Sequence, residues 1–219
     1  IFLLAPVLLY RIPIHIALVG QWIILASFFA ETIKKEKIRF YYWISILVVS
    51  SLIHFYFTLM LSLIYTIFVL DRFLINKKFL KSLKEIFIPF TFLLFVMYLS
   101  GYFEIPLTDS LGYGYGHYKA NVLSFFNPAV TMGTNFSWSN FLPSIPIAGG
   151  EHEGFSYLGL GGIIFLILLF FFFIRREPLL NFKKNRPYYL IVIIFFIIAI
   201  SNTINFGSFV LLDISLPNF

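Results

Sequence analysis

The chain contains no cysteine in 219 residues, and only 12% of its residues are charged. Without a thiol there is no disulfide framework, no thiolate nucleophile and no cysteine metal site. Soluble domains carry about 25% charged residues, roughly double this share. No stretch combines a basic start, a short apolar run and a small-residue cleavage site, so nothing reads as a signal peptide. What fills the space is apolar. Hydrophobic residues make up 60%, with 30 Phe, and the mean hydropathy is +0.91. A soluble core of this length cannot hide so much apolar surface, so the expected class is an all-α integral membrane protein. The abundance of Phe, Ile, Lys and Asn suggests an AT-rich, bacterial genome, and hence the bacterial cytoplasmic membrane. The first residue, Ile1, lies inside an apolar run, and the last residues read as a loop, "SLPNF". The chain is therefore expected to be part of a longer polytopic protein.

The net charge of +6 is not spread as a nucleic-acid surface would be. Fourteen of the 16 Lys and Arg residues fall in three clusters, at 34–39, 72–84 and 175–186. Basic loops stay cytoplasmic. Between the first two clusters runs an apolar stretch from Phe40 to Leu70. As one helix it would reach about 46 Å, against a hydrocarbon core of about 30 Å. It would also put the two clusters on opposite sides. Two short helices, about Arg39–Ile53 and Tyr56–Leu74, with a turn near "SLIHFYF", put both inside. The competing reading is one strongly tilted helix. The hairpin predicts a bundle of about six spans. Residues 1–100 hold transmembrane helices with an outer turn near 54. Residues 101–156 form a long, partly ordered extracytoplasmic segment. Residues 157–219 hold further helices and the start of another outer loop.

In this topology His15, His54, His117 and His152 all lie on the outer side or near it, with Glu104, Asp109, Glu151 and Glu153. The inner loops carry generic basic charge, whereas the outer face carries mixed titratable groups. Chemistry is therefore expected outside. The segment 101–156 is too aromatic to be disordered, and unstructured loops of such length are usually functional or disordered.

Two motifs in this segment, "YGHYKANVLSFFNP" and "GEHEGFSYLGLG", resemble a family of bacterial polytopic membrane proteins of uncharacterised activity, related to the GT-C superfamily of membrane glycosyltransferases. The resemblance runs through Asn121, Phe126, Pro128, Glu153, Gly154, Phe155, Tyr157, Leu158, Gly159, Leu160 and Gly161. Upstream, "RIPIHIALVGQWIILA" is similar through His15, Ala17, Leu18, Trp22 and Leu25. The resemblance implies a GT-C-like fold. It also implies transfer of a sugar from a polyprenyl-phosphate donor to a glycan or lipid acceptor on the outer face. Such enzymes usually carry their main catalytic acid on a first outer loop, which this chain does not contain. That acid is expected outside the sequence.

The reaction needs a base for the acceptor hydroxyl, and positive charge or a divalent metal for the phosphate. Arg11, His15, His54 and Lys119 are candidate phosphate contacts, and Tyr157 is a candidate substrate contact through the motif. Arg11 and His15 stand one helical turn apart. Both histidines have a competing reading as side chains tucked at the headgroup level. Glu153 has two readings, a candidate catalytic carboxylate or a cap on the helix that follows. Glu151 and His152 read as solvated loop, and a His-Glu pair alone does not specify a metal. No metal ligand set is assigned. The expected partners are membrane lipids and the lipid-linked sugar, with no nucleic acid. Two other functions compete: a lipid or polysaccharide transporter or flippase, and a non-catalytic membrane assembly protein. A transporter would place polar groups in mid-membrane, often at broken helices.

Overall fold

The structure, a computed structural model, describes residues 9, 12, 16–104, 119–127, 129–131, 135–137, 139–145, 151, 156–174 and 182–214. It is mainly helical. The chain divides into two compact units. One, the helical unit, comprises residues 11–110 and 186–191. The other, the loop unit, comprises residues 1–10, 111–185 and 192–219.

In the helical unit a 3-10 turn, Ile16–Gln21, leads into α1 (Trp22–Ala30). Then follow α2 (Glu36–Ile53), α3 (Phe55–Asn76) and α4 (Phe79–Leu99). The long apolar run is broken at one residue. His54 is extended, with φ −166° and ψ 137°, and its Nδ1 accepts the Tyr56 N–H at 3.2 Å. That bond caps one of the orphan donors at the start of α3. The two helices run antiparallel from this point. Ser50 meets Thr58 at 3.5 Å, and the rings of Trp43 and Tyr65 lie 4.9 Å apart. Gly20 permits close approach at the hairpin tip, where a Cβ would stand 3.0 Å from Ile53 Cγ2.

α3 and α4, of 22 and 21 residues, are long and apolar enough to cross a membrane. At 1.5 Å per residue each spans about 32 Å. The packing is partly inside out. Ser27, Ser50, Ser51 and Thr58 are buried between helices, while Leu52, Leu59, Phe87, Phe92 and Leu94 are exposed. Each buried serine bonds a carbonyl of its own helix, for example Ser50 Oγ to Leu47 O at 2.7 Å. Small residues inside and large apolar residues outside suit helices packed in lipid, where van der Waals fit replaces the hydrophobic drive between helices.

Pro89 lies inside α4 and is buried. It has no N–H to give to the carbonyl of Glu85, four residues back. The Tyr65 hydroxyl donates to that carbonyl at 2.6 Å. A second tyrosine repairs a helix end in the same way. Tyr102 OH donates to Ser51 O, near the end of α2, at 2.5 Å.

In the loop unit, Val122–Phe125 form a 3-10 turn, and β1 (Ala129–Thr131) pairs antiparallel with β2 (Asn135–Ser137). α5 (Gly159–Ile174) and α6 (Phe182–Ile200) follow. Residues 186–191 of α6 belong to the helical unit. After α6, β3 (Thr203–Phe206) and β4 (Phe209–Asp213) form a hairpin. The mainly helical architecture agrees with the all-α class expected from composition, and these two short hairpins are additions to it. "TINF" and "FVLLD" are rich in β-branched and large apolar residues. They flank the two-residue turn Gly207–Ser208, whose glycine has φ +61°. Two-residue hairpin turns need positive φ at such a position. The ladder slips between Ile204 and Asn205, since Ile204 faces Leu212 and Asn205 faces Val210. This bulge adds a residue to β4 and re-aims side chains beside it.

Candidate functional site: a buried carboxylate among asparagines

The polar centre of the loop unit forms around Asn121. This residue follows an extended segment whose Ala120 N–H bonds Ala199 O, near the C-terminus of α6, at 2.8 Å. Asn121 Oδ1 accepts the N–H groups of Leu123 and Gly207, at 3.0 and 2.9 Å. Its Nδ2 donates to Gly207 O at 2.8 Å and to both oxygens of Glu151 at 3.2 Å. One side chain thereby ties the 3-10 turn, the tip of the β3–β4 hairpin and Glu151 together.

Glu151 is only 1% exposed. Asn205, beside the bulge in β3, donates its Nδ2 to Glu151 Oε1 at 2.5 Å. Asn205 is 5% exposed, and its Oδ1 is buried with no hydrogen-bond partner among the described residues. An acceptor left unfilled in a buried place costs about 1–3 kcal/mol. Its orientation is fixed by chemistry, because turning the amide would set an oxygen against the carboxylate. Glu151 and Asn205 thus set a buried carboxylate beside a buried, unfilled carboxamide oxygen, both acceptors for a hydroxyl or N–H donor.

A second buried asparagine organises the neighbouring loop. Asn127 Nδ2 bonds the carbonyls of Ser139 and Leu142, at 3.0 and 2.8 Å, while its Oδ1 accepts Ser139 N–H at 3.0 Å. Asn121 and Asn127 act as backbone surrogates, giving irregular chain the partners that buried peptide groups require.

These contacts correct the reading of Glu151 as solvated loop. Its partners stand 30 and 54 residues away in sequence, and the adjacent glycines give no hint of them. Tyr157 is buried, at 4% exposure, just before α5, where Leu158 N–H bonds Phe125 O at 3.1 Å. His54 has its Nδ1 committed to capping, which leaves Nε2 as the donor for any phosphate contact. Arg11, His15 and Glu153 lie outside the described residues, as does His152. Among the described residues no three His, Cys, Asp or Glu side chains gather as a metal site. One carboxylate with two amides does not by itself make a divalent-metal centre.

The helical unit holds a separate charged cluster. Arg72 Nη1 meets both oxygens of Glu31, at 3.1 and 3.0 Å, and its Nε and Nη2 meet Glu85 Oε2, at 3.3 and 3.2 Å. Trp43 Nε1 donates to Glu31 at 2.8 Å. Lys81 pairs with Glu36 at 2.6 Å, and Arg186 with Asp71 at 2.6 Å. Two of the basic clusters thus meet at one end of the unit, yet Arg72 is a clamp between helices rather than generic loop charge.

The chain belongs to the family described as Domain of unknown function (DUF6311), whose model matches residues 1–219. No curated protein and no solved structure matches it.

Proposed function

We propose that this chain forms a GT-C-like membrane glycosyltransferase, a bacterial inner-membrane protein of about six spans. It moves a sugar from a polyprenyl-phosphate donor to an acceptor on the outer face. The observation that supports the reading is the buried Glu151–Asn205 pair, with its unfilled acceptor at Asn205 Oδ1. A sugar hydroxyl donates and accepts at once. It can give its proton to Asn205 Oδ1 or to the carboxylate while taking a bond from another hydroxyl. Asn121, saturated by backbone and carboxylate contacts, sets the position of Glu151. Glu153, two residues on, is the candidate base.

In the transfer, the acceptor oxygen bonds the anomeric carbon, and the bond from that carbon to the phosphate oxygen breaks. The phosphate leaves with the electron pair, and the base takes the acceptor proton. The sidedness rests on the charges. Clusters 34–39 and 72–84 meet at the end of the helical unit opposite His54, as two inner loops would.

The test is transfer itself. The protein in proteoliposomes is given a labelled polyprenyl-phosphate sugar and an acceptor glycan or lipid. Label in the acceptor supports the reading. Movement of the intact lipid across the bilayer, without any transfer, favours a flippase instead.

A further inference from the structure

A cleft of 520 Å³ opens between the first turns of α2 and α4. That volume suits a small-molecule site, about 300–1,000 Å³. Its walls are apolar, made by Phe40, Leu80 and Ile88. Its rim is basic, made by Lys37, Lys81 and Lys84. The two carboxylates at the rim are already engaged. Glu36 pairs with Lys81 at 2.6 Å, and Glu85 pairs with Arg72 at 3.2 Å. Lys37 and Lys84 are exposed and make no ion pair among the described residues. The mouth of an apolar cleft therefore carries two uncompensated positive charges.

We infer that this cleft binds the headgroup of an anionic phospholipid, its phosphate between Lys37 and Lys84 and its chains along Phe40, Leu80 and Ile88. The charge and the walls together select the occupant. A free phosphate would leave the apolar walls unused, and a zwitterionic headgroup would bring its own cation against the lysines. The outer surface of α4 continues the path for the acyl chains, since Leu83, Phe87, Phe92 and Phe95 are all exposed. Long lysine side chains can lay their stems on apolar surface and keep the ammonium at the headgroup level. The inference rests on the reading that α2 to α4 cross the membrane. It is independent of the glycosyl-transfer chemistry.

Vesicle flotation and lipid retention test it together. The protein is mixed with vesicles of phosphatidylcholine alone, or of phosphatidylcholine with phosphatidylglycerol, then extracted in mild detergent, and the lipids that stay bound are measured by native mass spectrometry. Phosphatidylglycerol should be retained in preference to phosphatidylcholine. The double variant Lys37→Gln/Lys84→Gln should weaken that retention roughly fivefold per lysine, about 25-fold in all. Lys77→Gln, exposed but outside the cleft lining, should leave it unchanged. Both cleft lysines are exposed, so an unchanged helical circular dichroism spectrum is expected. Equal retention of the two lipids overturns the inference, and so does retention that survives the double variant. Sodium phosphate that displaces the lipid at millimolar concentration would make this a soluble-anion site instead. A protein that floats with neither vesicle sinks the membrane reading, and the lipid site with it.

Discussion

Substituting Tyr65 by Phe removes one oxygen and almost no volume. In this fold that oxygen stands in for a missing backbone donor. Pro89 cannot bond Glu85 O, and Tyr65 OH does so at 2.6 Å. Tyr65 is 1% exposed and Pro89 is buried, so water cannot readily replace the hydroxyl. Leaving such a carbonyl unfilled costs about 1–3 kcal/mol. Tyr65→Phe should therefore destabilise the protein by about 2 kcal/mol. In a Pro89→Ala background the backbone N–H regained at that position can take the same carbonyl. There Tyr65→Phe should cost under about 0.5 kcal/mol. The assay is a double-mutant cycle by equilibrium unfolding in mixed micelles, followed by helical circular dichroism. Pro89→Ala has its own effect from lost packing, which cancels in the cycle. An equal cost of Tyr65→Phe in both backgrounds would refute the repair of the proline gap by Tyr65.

Arg72→Met should destabilise the helical unit by about 2–4 kcal/mol, since it removes the one cation paired with Glu31 among the described residues and leaves Glu85 only the 4.0 Å contact with Lys81; adding Glu31→Gln and Glu85→Gln should recover most of the loss. Failure of the triple variant to recover would mean that Arg72 acts through packing alone. Lys77 ends α3 with φ +56°, a conformation costly for a residue with a Cβ. Lys77→Gly should raise stability by about 0.5 kcal/mol in the same assay, and a clear loss contradicts the strain. The hydrogen bond and charge of Lys81 hold the Glu36 carboxyl below its ordinary value of 4.5. Its folded value is thus below its unfolded one, so its stabilisation is present above the unfolded value and fades as pH falls through the folded one. Glu36 is exposed, so the effect is small. The stability difference between wild type and Glu36→Gln should shrink as the pH falls through the lowered folded value, and a gap that widens on acidification is the wrong sign.

The break at His54 was legible because charge position and helix length constrain each other. A 31-residue run between two basic clusters cannot both span once and obey the sidedness of basic loops. The role of His54 was less legible, since a histidine in an apolar run looks the same whether it caps a helix or waits for a ligand. Arg72 was hidden inside a basic cluster, and only folding brings Glu31, 41 residues away, to it. Glu151 was hidden by its glycines. Short-range composition said exposed loop, while Asn121 and Asn205 bury it through contacts that no local pattern encodes. The β3–β4 hairpin could have been read, because Gly-Ser sits between two apolar strands. It was masked by the apolar helix before it.

Whether a sugar is held at Glu151 and Asn205 is read from the rate of sugar transfer from a labelled polyprenyl-phosphate donor, measured for Glu151→Gln and Asn205→Leu beside the wild type. Each variant is first matched to wild type in thermal unfolding midpoint, with Asn127→Ala as a destabilised control. Both variants should lose transfer by about 100-fold or more, as lost buried polar contacts to substrate do. The control should lose transfer only in proportion to its lost folded fraction. Full transfer by a folded Glu151→Gln, or no transfer by the wild type with any lipid-linked sugar, would contradict a sugar held there.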